Sequence, residues 1–564
     1  MSKNDQVLLN STLEAEKLNG YDGIKESEFF EIYVATQILK SKQLTPEQIE
    51  GGCTGGSGDG GVDSFYVFVN DELIEEMPEA AFFQNLSAEP TLELALIQSK
   101  LETGFKETPT ERFRSFSEDL INLEETNSDY DGVYSDHLTT QINLFKDIYI
   151  KLAPKHPKLR VNFYYATRAT SDDVPKSVRR KSDLCTELVK KEVSGAESTF
   201  SFLPASALIK LARKKISKSF TIELKESPIR HDTQNAFIGI VQLSKYAEFL
   251  TDETQKIRQN IFESNVRDYQ GNVVVNKAIK TTLENGAPQE DFWWMNNGVT
   301  IITTNISQNG KQITIEDPQI VNGLQTSREI FSYAQDHPQK IIEDERNVLI
   351  RIINPDTEGS RDKIIKFTNS QTKVPEASLR ATDKIHRDIE DHLKSLDIYY
   401  DRRKNYYINT GKPRNKIISI ALLAQGVMST LLKRPNDARA RPSSLLKNDD
   451  DYSNIFNDGL SVDMYYRIAR SLLDLDARLK LHLLQLTSNQ RNDIRFYALM
   501  HALGKATGKR GYGMKDICEL DDQAVTSSLI DSSIAAVHAI YESLGGNDKV
   551  AKGTKLKSVI LDDL

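Results

Sequence analysis

Cysteine is scarce: Cys53, Cys185 and Cys518 are the only three in 564 residues, far apart and outside any CxxC or Cys/His ligand spacing. That excludes a disulfide framework and a structural zinc site, and it fits a reducing cytoplasm. Long apolar runs are missing too. The longest, Ile417 to Met428, is interrupted by Ser419, Gln425 and Gly426, so no membrane span is expected. The opening MSKNDQVLLNSTLEAEKLNG lacks the basic-then-apolar pattern of a signal peptide. Nor is there an excess of positive charge. Lys+Arg 72 against Asp+Glu 81 give a net charge of -9, so a nucleic-acid partner must be gripped by a local basic region. No GxxxxGK[ST] occurs, since GKAT at Gly504 and GKPR at Gly411 lack the upstream glycine or the following hydroxyl, which argues against a P-loop ATPase. No HExxH occurs, and His386 and His392 fall on different faces of a helical segment, as surface or core histidines do. No fixed-period repeat or low-complexity segment is present.

What remains is an ordinary soluble composition, 39% hydrophobic and 27% charged, long enough for two to four domains. Helical spacing over Glu26 to Leu39 is followed by a Gly-rich loop, Gly51 to Gly61, and the strand VDSFYVFVN. The strand LELALIQSK comes next, then helices at about Thr110 to Glu125 and Tyr134 to Leu152. Alternation continues through LRVNFYYATR, a helix over Lys176 to Val193, STFSFL, a helix over Ala205 to Lys218, and SFTIEL. This predicts a mixed α/β fold with a layered sheet. KESPIRHDTQN marks a first boundary, and the acidic NDDDYSNIFNDG precedes helical patterns such as MYYRIARSLLDLDARLKLHLLQL. Three domains are expected: 1–228, 229–435 and a helical 436–564.

The sharpest chemical feature is GGSGDGGVDSFYVFVN followed by ALIQSK. Asp63 opens one strand, while Gln98 and Lys100 lie two apart on another and project to one face. Phosphodiester hydrolysis needs a divalent cation held by oxygen ligands, and a nearby lysine can orient the nucleophile or balance developing charge. Glu31, in FFE on the preceding helix, could add a carboxylate, with Glu28 one turn earlier as its competitor.

With FE, GDGGVD and QxK in that order, the segment resembles the Mrr-like branch of the restriction-endonuclease-like (PD-(D/E)xK) nuclease superfamily. The resemblance implies an N-terminal restriction-endonuclease-like α/β/α domain with Asp63 as the metal-binding strand aspartate, Lys100 as the catalytic lysine and Glu31 as the helix glutamate. Gln98 stands where a Glu or Asp ligand is usual, and the stretch between Asp63 and Gln98 is longer than the compact hairpin of Mrr-like enzymes. The implied cofactor is Mg2+, with Mn2+ able to substitute, and the implied substrate is DNA ahead of RNA. A homodimer is the simplest way to cut both strands.

The middle region carries three polar loops, FWWMNNGVTII, PQIVNGLQTSREIF and IIKFTNSQTKVPEASLRATD. Asn and Gln beside a helix start could hydrogen-bond a base, a ribose or an anion, although turn and cap residues look the same. With NVRDYQG before them and YYDRRKNYY after them, they resemble the abortive infection phage resistance (AIPR) family over roughly residues 230 to 430. That implies a prokaryotic defence protein, with companion defence proteins or a phage-derived trigger as partners. It implies a binding role for Asn297, Asn322, Gln325, Thr326, Asn369 and Gln371. VNGLQT also has a faint likeness to DGQHR-type proteins, whose Asp and His are missing here.

From Asp401 to Lys447 eleven Lys or Arg face only two acids, Asp401 and Asp437. Arg402, Arg403, Lys404, Lys412, Arg414 and Lys416, flanked by Tyr399, Tyr400, Tyr406 and Tyr407, are the candidates for nucleic-acid binding by phosphate pairing and stacking. VPKSVRRK and LARKKISK form a second basic stretch that could line a duplex. Two functions compete: a metal-dependent nuclease of antiviral defence, and a binding or sensor protein whose nuclease-like half is inert or waits for a trigger.

Overall fold

The computed structural model describes residues 4–42, 44–55, 58–86, 89–124, 130, 132–170, 173–213, 219–231, 235–252, 255, 257–258, 261–262, 274–285, 290–355, 357, 360–361, 363–365, 383–402, 405–409, 411–442, 444–446, 448–481 and 486–564. The chain divides into two units, one made of residues 1–83, 89–214 and 384–564, the other of residues 84–88 and 215–383. The boundaries read from the sequence, at 228 and 435, differ from this division.

In the first unit five strands, β1 (Ser64–Val69), β2 (Glu72–Leu73), β3 (Thr91–Lys100), β4 (Lys158–Thr167) and β5 (Glu197–Leu203), form a sheet in the order β2-β1-β3-β4-β5. β1 pairs antiparallel with β2 and β3, whereas β3, β4 and β5 run parallel. All six residues of β1 are buried, as expected of a strand covered on both faces. Tyr66, Phe68, Ala95 and Ile97 meet the Glu26–Ile38 helix on one side. On the other, Phe65 and Phe163 meet Phe116 and Phe113 of the Glu107–Ile121 helix. Helices on both faces of a mixed sheet make this an α/β/α layer structure.

The C-terminal part of the same unit is helical, built mainly from Lys384–Ser395, Ile420–Thr430, Val462–Lys480, Ser488–Thr507 and Ser527–Ser543. The apolar run noted in the sequence becomes the central Ile420–Thr430 helix, whose last nine residues are all buried. It packs among Ile468, Leu472, Leu499 and Leu503.

The second unit holds two sheets. β6 (Ser219–Glu223) lies beside β11 (Gln312–Glu316), which pairs with β10 (Asn305–Asn309). The other sheet runs β12-β9-β13-β8-β7, from β7 (Ile229–His231), β8 (Ala236–Gln242), β9 (Val299–Ile302), β12 (Gln319–Asn322) and β13 (Asn347–Ile353). SFTIEL therefore belongs to the second unit, because its antiparallel partner is about ninety residues further on. Leu243–Leu250 and Leu324–Asp336 contribute helices to the core of this unit. Among the described residues no helix is long and apolar enough to cross a membrane.

Candidate active site

The β1/β3 pairing sets the site. Ser64 is registered against Ile97, and the Asp63 N–H donates to the Ile97 carbonyl at 2.9 Å, which puts Asp63 beside the end of β3. Its carboxylate accepts the Ser99 N–H at 2.6 Å and stands 3.2 Å from Lys100 Nζ. Asp63 is 3% exposed and Gln98 is fully buried. Neither amide atom of Gln98 has a hydrogen-bond partner, and an unpaired buried carboxamide is costly unless something else uses it.

Glu31 joins this group from the Glu26–Ile38 helix, one turn past Glu28. Burial, and then the Asp63 charge, push the Glu31 carboxyl well above the usual range, against the pull of Lys100. Burial likewise raises Asp63, opposed by Lys100 and the Ser99 N–H. Burial, with the neighbouring carboxylates adding to it, favours protonation of this pair against the single lysine. Glu28 is committed elsewhere, to an ion pair with Arg491.

Sequence reasoning left Asp59 without a role, although it sits inside GDGGVD. Its charge raises both Glu31 and Asp63, and its Oδ1 accepts the Gly61 N–H at 2.7 Å. The glycines around it are required by shape. Gly60 and Gly61 have φ of +57° and +82°, and a Cβ would lie 2.7 Å from the Tyr134 ring or 2.5 Å from the Arg112 side chain.

Among the described residues no group of three or more His, Cys, Asp or Glu could hold a metal. A cation at this place would have to draw on the Gln98 amide oxygen in addition to the Asp63 and Glu31 carboxylates. Three hard oxygen donors, one of them orphaned, suit Mg2+ chemically. A cavity of about 460 Å³ between Gln48, Tyr66, His137 and Arg439 includes none of these residues in its walls.

In the second unit the NNG and VNGLQT segments meet back to back. A Cβ on Gly298 would lie 2.6 Å from the Leu349 carbonyl, and one on Gly323 would lie 3.0 Å from the Gly298 carbonyl. Asn296 Nδ2 donates to the Thr326 hydroxyl at 3.1 Å, so Thr326, 6% exposed, is part of the internal packing. Asn297 is exposed, and its carbonyl accepts from Arg351 at 3.2 Å. Asn322 ends β12 opposite Thr300, and Gln325 is half-buried in the first turn of the following helix. Asn369 and Gln371, the segment 366–382 and all of NVRDYQG lie outside the described residues.

The basic region changes meaning in three dimensions. Arg403 and Lys404 lie outside the described residues. Arg402 is 8% exposed and pairs with Glu390 at 2.5 Å, which corrects its reading as a phosphate contact. Arg414 packs on Tyr21 and Lys416 pairs with Asp397, while Lys412 lies 4.8 Å over the Tyr399 ring. Arg434 and Arg439 are likewise paired, with Asp437 and Asp451 and with Asp493 and Asp548. Nearly all these acids come from outside the stretch, so a local count of charges overstated its excess.

A family model described as AIPR protein matches residues 262–544, half of the chain. The chain belongs to the AIPR family. The matched segment extends past the central loops through most of the C-terminal helices of this AIPR protein. Membership implies abortive-infection defence against phage. Neither the curated proteins nor the solved structures include a match.

Proposed function

We propose that this AIPR protein is a metal-dependent nuclease of anti-phage defence that hydrolyses DNA phosphodiester bonds. The observation carrying the reading is the buried Gln98 carboxamide, without a partner, one step in register from the Ser64–Ile97 pair and so next to Asp63, whose carboxylate pairs with Lys100 and interacts with the Glu31 charge. A mixed sheet layered between helices, with Asp63, Gln98 and Lys100 at the ends of a central antiparallel pair and Glu31 on a covering helix, agrees with the restriction-endonuclease-like resemblance.

Asp63, Glu31 and Gln98 would hold Mg2+. Bound there, the ion supplies Lewis acidity to a phosphoryl oxygen and acidity to an attacking water. Lys100 sets its ammonium where negative charge builds on the phosphorus oxygens and can orient the attacking water. The Ser99 N–H fixes the rotamer of the Asp63 carboxylate. Two acids that retain a proton when metal-free must release it on loading, so occupancy rises with pH. DNA ahead of RNA, a homodimer and a cytoplasmic location follow from the resemblances and the composition.

The test is cleavage of supercoiled plasmid, linear duplex, single-stranded DNA and RNA in Mg2+, Mn2+ or EDTA. The parent should cut DNA in a metal-dependent way, and Asp63→Ala and Lys100→Ala should not. Either variant cutting as well as the parent sinks the assignment.

A second reading, a nucleotide or nucleic-acid sensor, is favoured by the close meeting of the Gly298 and Gly323 turns, which Asn297 and Asn322 adjoin in sequence. It expects saturable binding that survives Lys100→Ala and disappears with Asn322→Ala or Gln325→Ala.

A further inference from the structure

Residues 489–491, at the start of the Ser488–Thr507 helix, reach both sides of the Asp63 group. Asn489 Nδ2 donates to the Thr54 carbonyl at 2.9 Å, across 435 residues of sequence. Thr54 is fully buried. Its own N–H donates to the Asp63 carbonyl at 3.0 Å, and its hydroxyl donates to the Val62 carbonyl. Every polar group of Thr54 is thus spent on tying Asn489 to the backbone that carries Asp63.

Two residues further on, Arg491 pairs with Glu28, three positions before Glu31 on the same helix. Arg491 also donates to the Leu486 carbonyl at 2.8 Å. A capping box holds this end of the helix: the Thr487 hydroxyl accepts the Gln490 N–H at 3.2 Å, and Gln490 Oε1 accepts the Thr487 N–H at 3.0 Å. One pre-set turn therefore grips the strand side through Thr54 and the helix side through Glu28. A second set of contacts runs parallel to it, with Glu50 on Lys480 at 3.0 Å and on Arg495 at 3.9 Å.

We infer that Thr54 and Asn489 are positioning residues for Asp63, and that Arg491 does the same for Glu31, so that the AIPR-matched C-terminal helices are a structural component of the N-terminal site. The catalytic consequence rests on the nuclease reading, whereas the mechanical coupling does not. A shift of about 1 Å in a catalytic group can cost on the order of a hundredfold in rate, so losing one tether while the fold survives should lower kcat about 10- to 100-fold and leave KM for DNA within about twofold.

The experiment uses the full chain. Hydrogen exchange of the peptide spanning residues 52–65 and plasmid cleavage in Mg2+ are measured for the parent, Asn489→Ala, Arg491→Gln, Thr54→Val and Thr54→Ser, with melting curves for each. Faster exchange at 52–65 in Asn489→Ala, a drop in kcat for Asn489→Ala and Thr54→Val, and recovery in Thr54→Ser support the inference. Faster exchange in a protein whose parent never cuts supports the coupling and removes the nuclease reading instead. Unchanged exchange in Asn489→Ala, or parental cleavage by Thr54→Val in an active protein, overturns it. Should Asn489→Ala fail to fold, the Thr54→Val and Thr54→Ser pair decides alone.

Discussion

The Asp63 carboxylate and the Lys100 ammonium stand 3.2 Å apart at the ends of neighbouring antiparallel strands. In the absence of a cation, Lys100 is the charge that Asp63 leans on. Removing it leaves a buried acid facing Asp59 and Glu31 with less to oppose its protonation. Lys100→Met should therefore lower cleavage by about a hundredfold or more and move Mn2+ binding, followed by electron paramagnetic resonance, to higher pH. Binding with the parental pH profile would contradict this coupling.

Gln98 is the neutral member of the proposed donor set. Gln98→Glu adds a carboxylate, and metal affinity in oxygen sites follows ligand charge. The half-saturating Mg2+ concentration should fall about tenfold, while the metal-free protein melts earlier because a third acid joins Asp63 and Glu31. Calorimetry with and without Mg2+ checks both halves of this expectation.

Arg402 and Glu390 form a buried pair, and Glu390 also accepts the Tyr407 hydroxyl at 2.7 Å. Arg402→Met strands the glutamate and should cost about 3–5 kcal/mol of stability. Affinity for DNA, measured at a temperature where the variant stays folded, should match the parent. A salt-dependent loss of binding with unchanged stability would restore Arg402 as a phosphate contact.

His386 is fully buried, with its two ring nitrogens against the hydroxyls of Tyr400 at 2.7 Å and Tyr452 at 3.1 Å. Burial, and then the charge of Arg402, lower its pKa to about 3 from the ordinary 6.5. The unfolded chain therefore takes up a proton that the folded chain refuses, and stability drops as pH falls below 6.5, by about 1 kcal/mol per unit. Denaturation curves between pH 7 and pH 4 should show a shallower acid decline for His386→Gln than for the parent.

The strands and helices of the N-terminal region were legible because burial on both faces writes long apolar runs such as SFYVFV, and helical faces write a 3.6 period. The nearness of Asp63 to Lys100 was legible because alternation along a strand is a strong geometric rule. Asp59 was visible within its motif and lacked only an assigned role. Asn489, Arg491 and Thr54 carry no local signal, since each matters through a partner hundreds of residues away. The same non-locality misled the basic region, where Glu390, Asp493 and Asp548 neutralise charges that looked free. SFTIEL was correctly read as a strand, but a strand does not name its neighbour, so its unit was settled by β11.

Glu50 waits 430 residues for Lys480, and Glu28 waits 463 for Arg491. A ribosome adding about 5–20 residues per second reaches Lys480 about 20 to 90 s after Glu50. During that interval the nascent N-terminal layers carry acids that have no basic partner, and the loop holding Thr54 has nothing to grip it from outside. Translation order itself thus delays these ties: the Thr54 and Glu28 contacts form only after residues 489–491 have been made.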